Sequence, residues 1–269
     1  MFNLFTKVIK DNKRSLIGYG LGLLIYSLLM ALLYPMFAKS GLNLEEYIKQ
    51  FPEAFMKAFG VDATGKFTFT SYIGMEYLNL MWIIVVLFFI AYFAARMIAE
   101  GIEKGTIELL LARPISRLKI ALTYILVFII AILILEGATL LGFWLPSLWD
   151  KAIVVNWSAI VNTMTVLFFF SLAIFGYSFF FSAISSNKGK VVALSACLTL
   201  AFYIMNFVAL YWEKISWLKH YTLFYYYRGG DILAGKPIVF TDVLVFGGVF
   251  VVFTLAGLWY FNRRDVCVK

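Results

Sequence analysis

Apolar residues run almost unbroken through six stretches, residues 16–37, 78–99, 120–143, 159–182, 191–211 and 238–261, each of 21 to 24 residues. At ~1.5 Å per helical residue such runs reach about 31 to 36 Å, enough to cross a ~30 Å hydrocarbon core with some tilt. The pattern therefore predicts an all-α polytopic membrane protein with six transmembrane helices, the whole chain 1–269 forming one transmembrane domain. The first run follows Lys7, Lys10, Lys13 and Arg14 as a signal peptide would. Its 22 residues exceed a signal h-region and no small-residue cleavage motif follows, so it reads as a retained span.

Shorter periodicities lie between the runs. Phe2, Phe5 and Ile9 share a helical face away from Lys7, Lys10 and Asp11, which predicts a short basic amphipathic helix over 1–15 lying in the membrane interface. Between the first two spans, Leu44, Tyr47, Ile48, Phe51, Phe55, Ala58 and Phe59 recur at steps of three and four. They predict one helix kinked at Pro52, or two short ones, packed on the mouth of the bundle and stopping at Gly60. The stretch 211–237 is rich in aromatics (Tyr221, Phe224, Tyr225, Tyr226, Tyr227) ahead of Gly229 and Gly230, as in a re-entrant or interfacial turn.

The loop 100–118 is punctuated differently. Gly105 breaks the helix continuing from span two, Thr106 is placed to cap a new turn, and Glu108 lies at that turn's positive end. Arg113 and Pro114 end it after about seven residues, because a residue before proline avoids the α region, and Ser116 caps the helix that becomes span three. Joining two spans needs only a short loop. A stiff helix at this place suits presentation of a surface to a soluble partner.

Charge orients the spans. Six spans leave fourteen Lys and Arg on the side of both termini and nine on the other, so the positive-inside rule places both termini in the cytoplasm. Six tryptophans, Trp82, Trp144, Trp149, Trp157, Trp212 and Trp217, fall at outer ends or loops, and Trp259 near the inner face. The net charge of +8, on a chain 63% hydrophobic and only 14% charged, is accounted for by topology and anionic inner-leaflet lipid, without nucleic acid. Cys197 and Cys267 should lie far apart and reduced, and His220 is the single histidine, so no multi-histidine or four-cysteine metal site can be assembled. Residues 60–66 and 230–236 both fit G-x4-G-K, but Phe67 and Pro237 stand where a phosphate loop needs Ser or Thr, and both lie on the outer side.

Polar residues inside the spans are few. Glu136 falls about 25 Å beyond Lys119 along span three, near the outer boundary, where a hydrogen-bonded structural role outweighs contact with substrate. Arg96 is placed to snorkel to lipid phosphates. Gly18 and Gly22 form a G-x3-G pair, and Asn156, Trp157 and Ser158 a glycosylation sequon that matters only in a secretory host. Ser171, Ser178, Ser195, Thr199, Tyr203 and Asn206 form no nucleophile-and-base set and read as helix contacts.

The run Glu103-Lys104-Gly105-Thr106-Ile107-Glu108-Leu109-Leu110-Leu111-Ala112-Arg113-Pro114-Ile115-Ser116-Arg117 resembles the cytoplasmic loop of permease subunits of type-2 ATP-binding-cassette exporters. An acid, Gly-Thr, an acid or polar residue, a leucine run and Pro-x-Ser-Arg carry the match. The amphipathic start, the six spans, the 51–60 stretch, the 225–235 loop and the Phe261-Asn262-Arg263-Arg264-Asp265 ending extend it over most of the chain. The resemblance implies a transport permease rather than an enzyme, pairing with a second copy or a related permease in the plasma membrane. Two separate cytoplasmic ATPases would bind ATP and Mg, this chain holding no cofactor. It implies further that Glu103, Gly105, Thr106, Glu108, Arg113, Pro114 and Arg117 belong to a coupling helix docked on an ATPase, braced by the N-terminal helix. Aromatic, nearly charge-free spans suit an amphipathic or hydrophobic substrate. A self-sufficient secondary carrier or channel is the alternative. It normally gathers several ionisable groups near the midplane, where this chain offers one shallow acid. An intramembrane enzyme would need the catalytic set that is missing above.

Overall fold

The computed structural model describes residues 2–39, 68–107 and 115–264, and among these it contains helices and no strands. In chain order the helices are α1 (Phe2–Lys39), α2 (Phe69–Ile73), α3 (Met81–Met97), α4 (Ala99–Glu103), α5 (Arg117–Ser147), α6 (Trp157–Ile184), α7 (Lys188–Tyr211), α8 (Leu223–Tyr226), α9 (Gly229–Leu233) and α10 (Phe240–Arg263). A π-turn, Gly74–Leu78, links α2 to α3, and a 3-10 helix, Glu213–Tyr221, precedes α8. Six helical segments are long and apolar enough to cross a membrane: Leu4–Ala38, Phe69–Met97, Arg117–Ser147, Trp157–Ile184, Lys188–Leu210 and Phe240–Arg263. The all-α, six-span architecture follows. The aromatic-rich helix expected between spans one and two lies outside the described residues.

The start of the chain differs from expectation. The amphipathic segment and span one form a single helix of 38 residues, about 57 Å long, with no separate interfacial piece. No proline or glycine stands at the junction of Lys13, Arg14 and Ser15, so nothing interrupts the hydrogen-bond ladder there. The basic segment is also packed on its own bundle: Leu4, Val8 and Asn12 are buried, with Phe5 and Ile9 partly buried beside them.

The second span gathers its own irregularities. Thr68 and Ser71 form a reciprocal capping box at the start of α2 (Ser71 N to Thr68 Oγ1, 3.1 Å; Thr68 N to Ser71 Oγ, 2.8 Å). Where α3 passes into α4, Ile98 leaves helical geometry (φ −129°, ψ −55°), and the amide of Ala99 donates instead to Ser182 Oγ of α6 at 3.3 Å.

Spans two and four are the central helices. Two-thirds or more of their apolar windows are buried, against 17% for spans one, five and six, which present long apolar faces outward. Aromatic rings fill the middle: Phe128 and Phe175 stack at 4.0 Å, and Phe93 and Phe246 close on their neighbours Phe128 and Phe170. Small residues permit the closest approaches. A Cβ on Gly142 of α5 would lie 1.9 Å from Ser27 Oγ and 2.8 Å from the Leu24 carbonyl of α1, and one on Gly176 of α6 would lie 2.9 Å from Phe250 Cα of α10. The 211–237 connection folds back over the bundle: Leu223, Ile232 and Leu233 are buried, and the Tyr227 hydroxyl donates to the Leu78 carbonyl at 3.3 Å.

Candidate functional site

The loop between spans two and three emerges at the end of the bundle that carries the start of α1 and the end of α10. Here α4 ends as its sequence dictates. Lys104 is the cap, Gly105 turns into the left-handed region (φ +68°), and the amides of Lys104 and Gly105 return to the carbonyls of Glu100 (3.0 Å) and Ile102 (3.1 Å). Thr106 is exposed, its hydroxyl 3.5 Å from the Gly101 carbonyl, whereas Ile107 is buried. Ser116 caps α5 through its side chain, accepting from the Lys119 amide at 3.3 Å. Glu108, Arg113 and Pro114, the middle of the coupling element expected from the sequence, lie outside the described residues.

The charged members at the loop's two edges are engaged by their own chain. Glu103 Oε2 accepts from the backbone amide of Lys188 at 2.7 Å and its Oε1 from Asn187 Nδ2 at 3.4 Å, which seats a carboxylate on the positive start of α7. Arg117 sits at the opposite kind of terminus. Its Nη1 donates to the carbonyls of Phe261, Arg264 (2.9 Å) and, more distantly, Asn262 (3.4 Å), and its guanidinium lies 5.2 Å from the Phe261 ring. These carbonyls at the end of α10 have no later turn of helix to satisfy them. Arg264 repeats the arrangement one helix away, donating to the carbonyls of Ala183 (2.7 Å) and Ser185 (2.9 Å) and to the Ser186 hydroxyl at the end of α6.

These contacts join into one girdle. From Arg117 it runs through the end of α10 to Arg264, through residues 183–186 to Asn187 and Lys188, and through Glu103 back to the loop. A second cluster ties in α1. Glu100 pairs with Arg96 (3.2 Å), Lys104 (2.6 Å) and Lys188 (3.4 Å), and Arg96 Nη1 donates to the Asp11 carbonyl at 2.8 Å and to Asn12 Oδ1 at 3.3 Å. Burial alone would raise the Glu100 carboxyl pKa. The hydrogen bond from Lys104, with the charges of Lys188 and Arg96, outweighs it and holds the group below the usual carboxylate range. Arg96, expected to reach for lipid phosphates, is thus spent inside the protein.

Sequence reasoning assigned no contact to Asn187, Lys188 or Arg264, although Arg264 falls in the ending that carries the resemblance. A signal existed for two of them: Arg264 follows the last apolar run, where a cation complements a helix end, and Asn187 precedes one, where it caps. Asn187 Oδ1 does accept from the Lys190 amide at 3.0 Å.

Glu136 is elsewhere. It lies nineteen residues past Arg117, about 28 Å along α5, buried at 6% exposure, and its Oε1 has no hydrogen-bond partner among the described residues. Of the polar residues inside the spans, Thr199 donates to the Ser195 carbonyl at 2.7 Å and pairs with the Tyr177 hydroxyl, while the hydroxyls of Ser171, Ser178 and Ser195 lack a partner among the described residues. Asn156 caps α6. The segment 230–236 is no phosphate cradle, since the amides of Ala234, Gly235 and Lys236 return to carbonyls of α9 and the Lys236 ammonium pairs with Asp231 at 2.7 Å. Among the described residues no three His, Cys, Asp or Glu side chains converge as a metal site would require. The model of a family described as ABC-2 family transporter protein matches residues 3–266, and no curated protein matches the chain.

Proposed function

Because the chain belongs to the ABC-2 family of transporter proteins, which makes it a multi-pass transport permease, we propose that its 100–118 loop docks on a separate cytoplasmic ATPase that powers export. Two such ATPases, each binding ATP and Mg, act on a pair of permeases, this chain with a second copy or a relative. The substrate is amphipathic or hydrophobic and moves outward across the plasma membrane, with both termini in the cytoplasm. Glu108, Arg113 and Pro114 form the middle of the docked element, between Glu103, Gly105 and Thr106 on one side and Arg117 on the other.

The observation that carries this reading is the attachment of the loop's edges. Glu103 is fixed to the start of span five and Arg117 to the end of span six, so a push on the loop is delivered to helices 84 to 147 residues away in sequence. A loop that merely joined two spans would need no such anchorage. Coupling requires a partner with two states that contact the loop differently. An ATPase that closes around ATP supplies them. The 14-to-9 excess of Lys and Arg on the loop's side supports the cytoplasmic placement.

The test is the double charge reversal Glu108→Lys with Arg113→Glu, followed by co-purification of the ATPase and by the unfolding temperature of the permease. Loss of the ATPase with an unchanged unfolding temperature is expected. Normal co-purification of the ATPase with the double variant would remove the docking role.

A further inference from the structure

A groove of about 450 Å³ opens on the outer flank of the bundle between α1 and span two. On α1 it is lined by Arg14, Ser15, Gly18, Tyr19, Gly22 and Tyr26, and on the other wall by Tyr77, Met81 and Val85 at successive turns. Tyr26 and Tyr77 meet at 5.1 Å between ring centroids, with the Tyr77 hydroxyl 3.4 Å from the Leu23 carbonyl, and Tyr19 packs edge-on against Phe89 at 5.4 Å. Arg14 and Ser15 line the groove's other end, just before the apolar run of span one begins.

Three properties say what fits. The first is length: from Arg14 to Tyr26 the groove follows α1 for about 18 Å, a little more than half of a ~30 Å hydrocarbon core. It therefore spans one leaflet. The second is shape: a Cβ on either Gly18 or Gly22 would meet nothing within 4 Å, so both glycines leave the α1 backbone bare to the groove. Their spacing suits close approach of another chain, yet among the described residues no helix occupies the place. The third is charge: Lys7, Lys10 and Arg14 continue the glycine face beyond the apolar region, all exposed, with Asp11 the one acid among them. Among the described residues no ion pair joins Arg14 to Asp11 or to any other acid. An unpaired guanidinium at headgroup depth is matched to a phosphate, which it can grip with two parallel hydrogen bonds.

We propose that this groove binds one acyl chain of an anionic phospholipid, drawn from the leaflet that contains Arg14, with the lipid phosphate held by Arg14 and the chain lying over Gly18 and Gly22. Two adjoining basic side chains, Lys7 and Lys10, favour a headgroup of net negative charge over a zwitterionic one. The site stands on the groove and its charge, independently of any docked ATPase and of which face of the membrane Arg14 lies on.

The test uses the full chain purified in mild detergent, incubated with phosphatidylglycerol or phosphatidylcholine and read by native mass spectrometry for retained lipid. The wild type should retain one phosphatidylglycerol per chain with roughly tenfold preference over phosphatidylcholine, set by the net headgroup charge that Lys7 and Lys10 meet, since both lipids carry the phosphate. R14Q, at an exposed position, should weaken retention of both lipids, since each carries the phosphate that Arg14 holds, while K7Q with K10Q should narrow the preference for phosphatidylglycerol. G18L with G22L should lose retention altogether, since the added side chains enter open space and fill the groove. Equal retention of the two lipids by the wild type, or retention unaffected by the double leucine variant, overturns the proposal. So does a wild type that holds no lipid but forms a dimer that the leucine variant breaks, since a second copy would then be the occupant.

Discussion

Replacing Arg117 with alanine separates a capping role from a docking role. Its guanidinium serves the carbonyls of Phe261 and Arg264, with a longer contact to Asn262, at the negative end of α10. Hydrogen bonds from a charged donor contribute about 1.5 to 3 kcal/mol each where buried, and favourable placement at a helix end about 0.3 to 1 kcal/mol. Arg117 is half-buried, so water takes over part of what is lost. We expect a net loss of about 2 kcal/mol for the last turn of α10, or roughly 30-fold faster exchange of its amides at about 1.4 kcal/mol per tenfold. R117K keeps the charge without the planar fork and should lose about 1 kcal/mol, roughly fivefold. Hydrogen exchange by mass spectrometry on peptides covering residues 258–264, at several detergent conditions, reads both variants. Unchanged exchange there in R117A would refute the capping argument and leave the partner surface as the residue's task.

Three further outcomes follow from named contacts. G105A should lower the unfolding temperature, at a cost of about 1 kcal/mol, because the added Cβ is strained at φ +68°; G18A, with open space around it, should not. G142A should be costlier, about 1 to 3 kcal/mol, because its Cβ meets both Ser27 and the Leu24 carbonyl, and S27G should recover part of the loss in thermal unfolding. Glu100 has a lower pKa folded than unfolded, so its pairs stabilise the protein above the ordinary carboxylate pKa and fade as pH falls through the folded value. A plot of unfolding temperature against pH should therefore drop less steeply on the acid side for E100Q than for the wild type, by an amount worth under about 1 kcal/mol.

The six spans were legible because runs of more than twenty apolar residues have few alternatives. Punctuation near the loop was legible for a similar reason: Gly105 adopts a conformation that glycine accepts readily, and Ser116 has a local partner in Lys119. The tertiary uses of charge were not. Nothing near Glu103 in sequence announces that it meets the start of α7, and Arg117 finds its carbonyls at the far end of the chain. Arg96 was misread on the same ground, a lone cation near a span end being placed at lipid when, besides Glu100, its partners Asp11 and Asn12 lie 85 and 84 residues earlier. The N-terminal helix ran on into span one because amphipathic periodicity marks a face but not a hinge, and no breaker marked one.

The most direct measurement is affinity purification of the tagged chain from its own membrane in mild detergent, with co-purifying proteins identified and ATP hydrolysis assayed after reconstitution in liposomes. The account predicts a cytoplasmic ATPase in equal number to the permease chains, and hydrolysis that the isolated chain lacks. A chain that purifies alone and still moves substrate across liposomes without ATP would contradict it.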